Sequence, residues 1–138
     1  MRITACILLA GLASPALASA PAALDGSWTT VRAERDGASV AELIGHRLRL
    51  DGKHFEIADR QGQLLYTGTY RADAAVQPAQ IDFRHAGGQA TGQVWEGIYR
   101  LDGNRLTIVD DASDPQAPRP AGFSAGKGSG YVLLEFER

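Results

Sequence analysis

Residues 97–109 read GIYRLDGNRLTIV, two apolar runs on either side of Asp102-Gly103. Asp-Gly between alternating apolar runs is a strong hairpin signal, because tight two-residue connections need backbone at positive φ. With Asp102-Gly103 as the loop, Leu101 pairs with Asn104, Tyr99 faces Leu106 and Gly97 faces Ile108. Strand side chains alternate between faces. Trp95, Gly97, Tyr99, Leu101, Leu106 and Ile108 therefore share one face, which is expected to be the core. Glu96, Arg100, Arg105 and Thr107 share the other, together with Val94, Ile98 and Val109.

Residues 48–57, LRLDGKHFEI, repeat the construction around Asp51-Gly52. Here Leu50 is expected to pair with Lys53, Leu48 to face Phe55, and Arg47 to lie opposite Glu56. A slip of one residue would turn every apolar side chain outward, so the sorting of faces is well specified. GTYR at 68–71 echoes GIYR at 97–100 and predicts Leu64, Tyr66, Gly68 and Tyr70 on the inner face. Further strands are expected over Ser27 to Arg35, Gln80 to His85 and Tyr131 to Glu137, and a short helical turn within 38–45. No long helical period appears. About eight short strands joined by turns predict an all-β fold, an antiparallel sandwich or an up-and-down barrel, and closure into a barrel would remove exposed edges.

The first residues, MRITACILLAGLASPALASA, place Arg2 before an apolar run and then small residues. This is the pattern of a secretory signal peptide. Ala16 and Ala18 direct cleavage after residue 18, leaving a short linker over 19–23 and a domain over 24–138. Periplasmic or secreted localisation follows. Cys6, the only cysteine, leaves with the signal, so the exported domain has neither a disulfide nor a thiol nucleophile. Loss of Arg2 leaves thirteen basic against sixteen acidic residues, a net charge of −3. No basic cluster with interleaved aromatics suggests nucleic acid, and no second apolar stretch is long enough to span a membrane. A monomer is expected.

Gly26-Ser27-Trp28 opens the first strand and resembles the G-x-W signature of lipocalins, in which a Trp plugs the closed end of an eight-stranded barrel. Lipocalins often lay an Arg from near the chain end across that Trp, and Arg138 has the parity for it. The blocks GSWTTVRAERDG, LRLDGKHFEI, GTYR, GIYRLDGNRLTI and RPAGFSAGKGSGYVLLEFER run from the start to the end of the mature chain. In this order they are similar to a family of small lipocalin-like domains of unknown function, numerous in Planctomycetes. The resemblance implies a lipocalin-like barrel and supplies no catalytic residues. Some members carry a Cys where this chain has Val109, and any function of that Cys is not inherited.

The residues themselves point to no catalytic constellation and no cofactor. His46, His54 and His85 lie on separate predicted strands without metal-ligand spacing. His54 is expected to face out, and His46 and His85 to face in near a strand end. Rim histidines are the plain reading; a paired metal site or haem ligation is the alternative. Glu96 falls at outward parity, as a solvated carboxylate would. Gly126, Gly128 and Gly130 lack the following helix that a phosphate loop needs.

The aromatic residues Trp28, Phe55, Tyr66, Tyr70, Phe83, Trp95, Tyr99 and Phe136 are the most suggestive set. A barrel of eight strands is either just filled by side chains or holds one small ligand. Gly68 and Gly97 remove bulk from the inner face, so Tyr70 and Tyr99, each two residues on, are expected to line a site with Phe83 and Trp95. The non-periodic stretch 111–130, with three Pro and four Gly, is a loop of functional length. Phe123, its only aromatic residue, is expected either to latch over the barrel mouth or to anchor the loop. Two functions follow: an exported barrel binding a small apolar or amphipathic molecule, or a protein-binding module, such as an envelope hydrolase inhibitor, acting through 111–130.

Overall fold

A computed structural model describes residues 21–138. The signal-peptide assignment lies outside the described residues. Nine strands follow one another: β1 (Gly26–Arg35), β2 (Ala38–Ser39), β3 (Arg47–Leu50), β4 (His54–Ala58), β5 (Leu64–Asp73), β6 (Ala79–Gly88), β7 (Val94–Asp102), β8 (Arg105–Asp110) and β9 (Val132–Glu137). From β3 to β9 each strand pairs antiparallel with the next. The first half of β1 pairs with β3 and its second half with β9. A bulge between Thr30 and Arg32 separates the two halves of the β1–β9 ladder. This closes an eight-stranded up-and-down barrel, with β2 a two-residue hairpin arm on the end of β1. Two 3₁₀ turns, Ala22–Leu24 and Ala41–Leu43, are the only helical pieces described. No helix among the described residues is long and apolar enough to cross a membrane.

Both Asp-Gly hairpins form, one residue further along than expected. Leu101 pairs with Leu106 and Tyr99 with Ile108, so the loop residues are Gly103 and Asn104. Leu50 pairs with Phe55, and Glu56 lies opposite Arg49 rather than Arg47. The offset has a local cause at Asp51. Its Oδ1 accepts the backbone N–H groups of Lys53 (3.3 Å) and His54 (2.7 Å), which makes Asp the residue before the turn. Gly52 and Gly103 then take the positive φ, 88° and 59°. Because each hairpin moved by one residue on both strands, the face assignment survives. Tyr99, Leu106, Ile108, Leu48, Leu50 and Phe55 are all buried in one core. Leu64, expected inside, is instead 52% exposed at the start of β5, next to a register shift between Ile57 and Ala58.

Trp28 plugs one end of the barrel. It is fully buried, and its Nε1 donates to the Leu24 carbonyl at 2.9 Å. The Arg138 guanidinium lies 4.4 Å from the Trp28 ring centroid, and its Nη1 donates to the carbonyl of Ala23 at 3.0 Å. The turns joining β3 to β4 and β7 to β8 sit at this end, together with the C-terminus, where the Arg138 N–H donates to the Asn104 carbonyl.

The outer face of β7, β8 and β9 is covered. Ile98, Val109 and Leu133 point away from the barrel interior and form a second core with Ala125, Phe123 and Tyr131. Segment 111–130 thus folds back along the barrel wall. Arg119 fastens it, donating from Nη1 to Asp82 Oδ1 (2.6 Å) and to the Gly97 carbonyl (2.8 Å). The Arg100 guanidinium stacks 4.6 Å from the Phe123 centroid. Phe123 is therefore an anchor on the wall and not a latch over the mouth.

Candidate functional site

Opposite the Trp28 plug the barrel is hollow. A cavity of about 230 Å³ is walled by Leu48, Ile57, Tyr66, Phe83, Trp95 and Leu134 and bottoms on Ile108 and Phe136. Strand alternation puts these apolar side chains there, since each lies at inward parity on its strand. Arg35, His46, Arg47 and Ser113 line it as well, and all four sit at strand ends or in the adjoining connections, so they mark its mouth.

Of the residues expected to line a site, Phe83 and Trp95 line this cavity and Tyr70 does not, while Tyr99 and Phe123 line instead a second, more open pocket with Leu24, Pro78 and Leu101. Gly68 and Gly97 do not open space beside the tyrosines. A Cβ on Gly68 would fall 1.9 Å from the Arg84 carbonyl oxygen, and one on Gly97 would fall 2.5 Å from that of Val109. Both glycines let neighbouring backbone approach; neither leaves room for a ligand. Tyr70 serves the closed end instead. Its hydroxyl accepts the Gly52 N–H at 3.0 Å and lies 3.5 Å from Asp25 Oδ1. Burial pushes this hydroxyl up to about 12. Tyr66, named among the inward residues but not among the expected site, is the tyrosine that reaches the cavity.

Asp110 was missed by the sequence reading. It ends β8 at the parity of Leu106 and Ile108, so its side chain turns into the barrel and lines the cavity. One oxygen accepts the Ala112 N–H at 3.1 Å. Burial, aided by the charge of Asp111, raises its carboxyl to about 7. Asp111 has the opposite parity and accepts the Glu96 N–H at 2.8 Å on the outer side. The signal was present in LTIVD, where strict alternation from Leu106 puts an acid at the third inward position.

His85 lies behind the cavity wall. It is 3% exposed, and neither ring nitrogen has a hydrogen-bond partner. Its ring contacts Trp95 (centroids 4.0 Å apart), Phe55 (5.1 Å) and Tyr66 (5.5 Å). Burial pushes the imidazole down to about 4, so it is neutral at ordinary pH. His54 is exposed and lies 3.7 Å from Asp51. His46 lines the cavity mouth and His85 does not line the cavity. Among the described residues no three His, Cys, Asp or Glu side chains converge as metal ligands.

The site is thus an apolar barrel interior with one buried carboxyl on its wall and cationic side chains at its mouth. No family model, curated protein or solved structure matches the chain.

Proposed function

We propose that the chain is an exported, lipocalin-like barrel that binds a compact apolar or amphipathic molecule. The cavity carries this reading: its walls are apolar and aromatic, and a few polar groups gather at one end. That is the usual composition of a small-molecule site. Its volume of about 230 Å³ exceeds the roughly 150 Å³ that accommodates benzene. It falls below the roughly 300 Å³ at which most ligand sites begin. A ligand of one or two rings, or a short chain, suits it better than haem or a long fatty acid. The competing reading, a protein partner held by 111–130, loses its main support, because Phe123 and Arg119 of that segment are committed to the barrel wall.

The test is a titration with fluorescent apolar probes, short and long fatty acids, and haem against the wild type and Leu134→Phe, which fills the cavity. Saturable binding that disappears in a variant of unchanged melting temperature is expected. Failure of every probe to saturate overturns the reading. Export is tested by sequencing the N-terminus of the protein from its host envelope, which is expected to begin at Ser19.

A further inference from the structure

If the cavity binds a ligand as proposed above, the charges at its mouth bear on the ligand's head group. Arg35 on β1 and Asp110 on β8 both pair with Val132 of β9. They stand at one level on either side of that strand, and both line the cavity. Neighbouring strands lie about 4.8 Å apart, so the two backbones are separated by about 10 Å. Among the described residues no ion pair joins Arg35 to Asp110, so neither neutralises the other. Neither is committed elsewhere. Among the described residues Arg35 forms no ion pair, and the only side-chain bond of Asp110 is the Ala112 N–H. Arg47 and His46 add further donors at the mouth.

We propose that the cavity takes a compact organic anion, a carboxylate on an apolar body, whose head lies between the Arg35 guanidinium and the Asp110 carboxyl. The body lies against Trp95, Tyr66 and Phe83. A guanidinium offers a carboxylate paired N–H donors. The Asp110 carboxyl, while protonated, donates an O–H to the same head. A cationic head would meet two guanidinium groups, and an acid that is uncharged only below about pH 7. A neutral head would gain little from the guanidinium of the solvent-exposed Arg35.

The groups around Asp110 decide how the site responds to pH. β9 presents Val132 and β7 presents Gly97 on its inward side. Asp111 and Glu96 lie on the outer side, near Arg119, and Glu135 faces outward to Arg32. Arg35, Arg47, His46 and the Tyr66 hydroxyl are the charged or titratable groups that share the cavity with it. Once Asp110 loses its proton, its charge opposes that of the bound head. Affinity for the anion therefore falls as pH rises through about 7.

Calorimetry with 4-phenylbutyrate, 4-phenylbutanol and 4-phenylbutylamine presents one body with three heads. The butyrate is expected to bind tightest at pH 6 and to weaken about tenfold by pH 8.5. Arg35→Gln should weaken the butyrate about tenfold while changing the alcohol less than about twofold. Asp110→Asn keeps a donor and should bind the butyrate with no pH dependence in this range, whereas His46→Gln should retain that dependence. Equal binding of butyrate and alcohol, or tighter binding of the amine, overturns the head-group assignment and leaves the cavity reading intact. Pronounced pH dependence in Asp110→Asn overturns the role of Asp110. Absence of binding by all three compounds overturns both readings.

Discussion

Asp110 illustrates how one side chain can be placed against its own solvation. The unfolded chain releases its proton near 4, whereas the folded chain holds it to about 7. Between these values the native state binds more protons, so this residue's contribution to stability falls as pH rises through the window. Asp110→Asn keeps an acceptor for the Ala112 N–H and removes the buried charge. It is expected to stabilise the protein by on the order of 2–4 kcal/mol at pH 8, with little effect near pH 4. Urea denaturation at the two pH values checks this, and equal effects at both would mean that the carboxyl is not held neutral. Trp28 contributes in the opposite sense. It combines complete burial, a hydrogen bond to Leu24 and the overlying Arg138. Trp28→Ala is expected to cost about 3–5 kcal/mol, and a variant melting with the wild type would show that the plug is dispensable.

Among the elements, segment 111–130 lies furthest from what its composition suggests, since it packs on the barrel wall. A stretch with three Pro and four Gly is legible as irregular, but its course is not. A clue lay elsewhere: Ile98, Val109 and Leu133 are apolar at outward parity on three adjacent strands. Such a patch needs a cover, and the loop supplies it. Arg119 ties the cover to β6 and β7 through Asp82 and the Gly97 carbonyl. Arg119→Ala leaves Asp82 without this partner and is expected to speed proteolytic cleavage within 111–130 several-fold, with the barrel core retained. Limited proteolysis followed by mass spectrometry locates the cut, and an unchanged cleavage pattern would argue that apolar packing alone holds the segment.

For the whole molecule, two buried titratable groups pull stability in opposite directions across the same acid range. His85 is held neutral down to about 4, so the unfolded chain takes up a proton first as pH falls from about 6.5. Its contribution is lost in that window, while the penalty of Asp110 is relieved. His85→Phe, set among Phe55, Tyr66 and Trp95, removes the loss. Its stability relative to wild type should grow by on the order of 2 kcal/mol between about pH 6.5 and 4, measured by denaturation across the range. A difference that does not vary with pH would mean that the imidazole is solvated. The strands and their faces were legible in the sequence, because alternation and turn chemistry are local and survive a one-residue error made on both arms of a hairpin; closure rests on the pairing of β1 with β9, which no local pattern encodes. The pairing of Trp28 with Arg138 was also anticipated, from strand parity and the lipocalin resemblance. Which inward residues meet a cavity was not legible in the sequence. Depth along the barrel axis depends on the stagger of strands distant in sequence, and that stagger sends Tyr70 and Tyr99 away from the cavity and Asp110 into its wall.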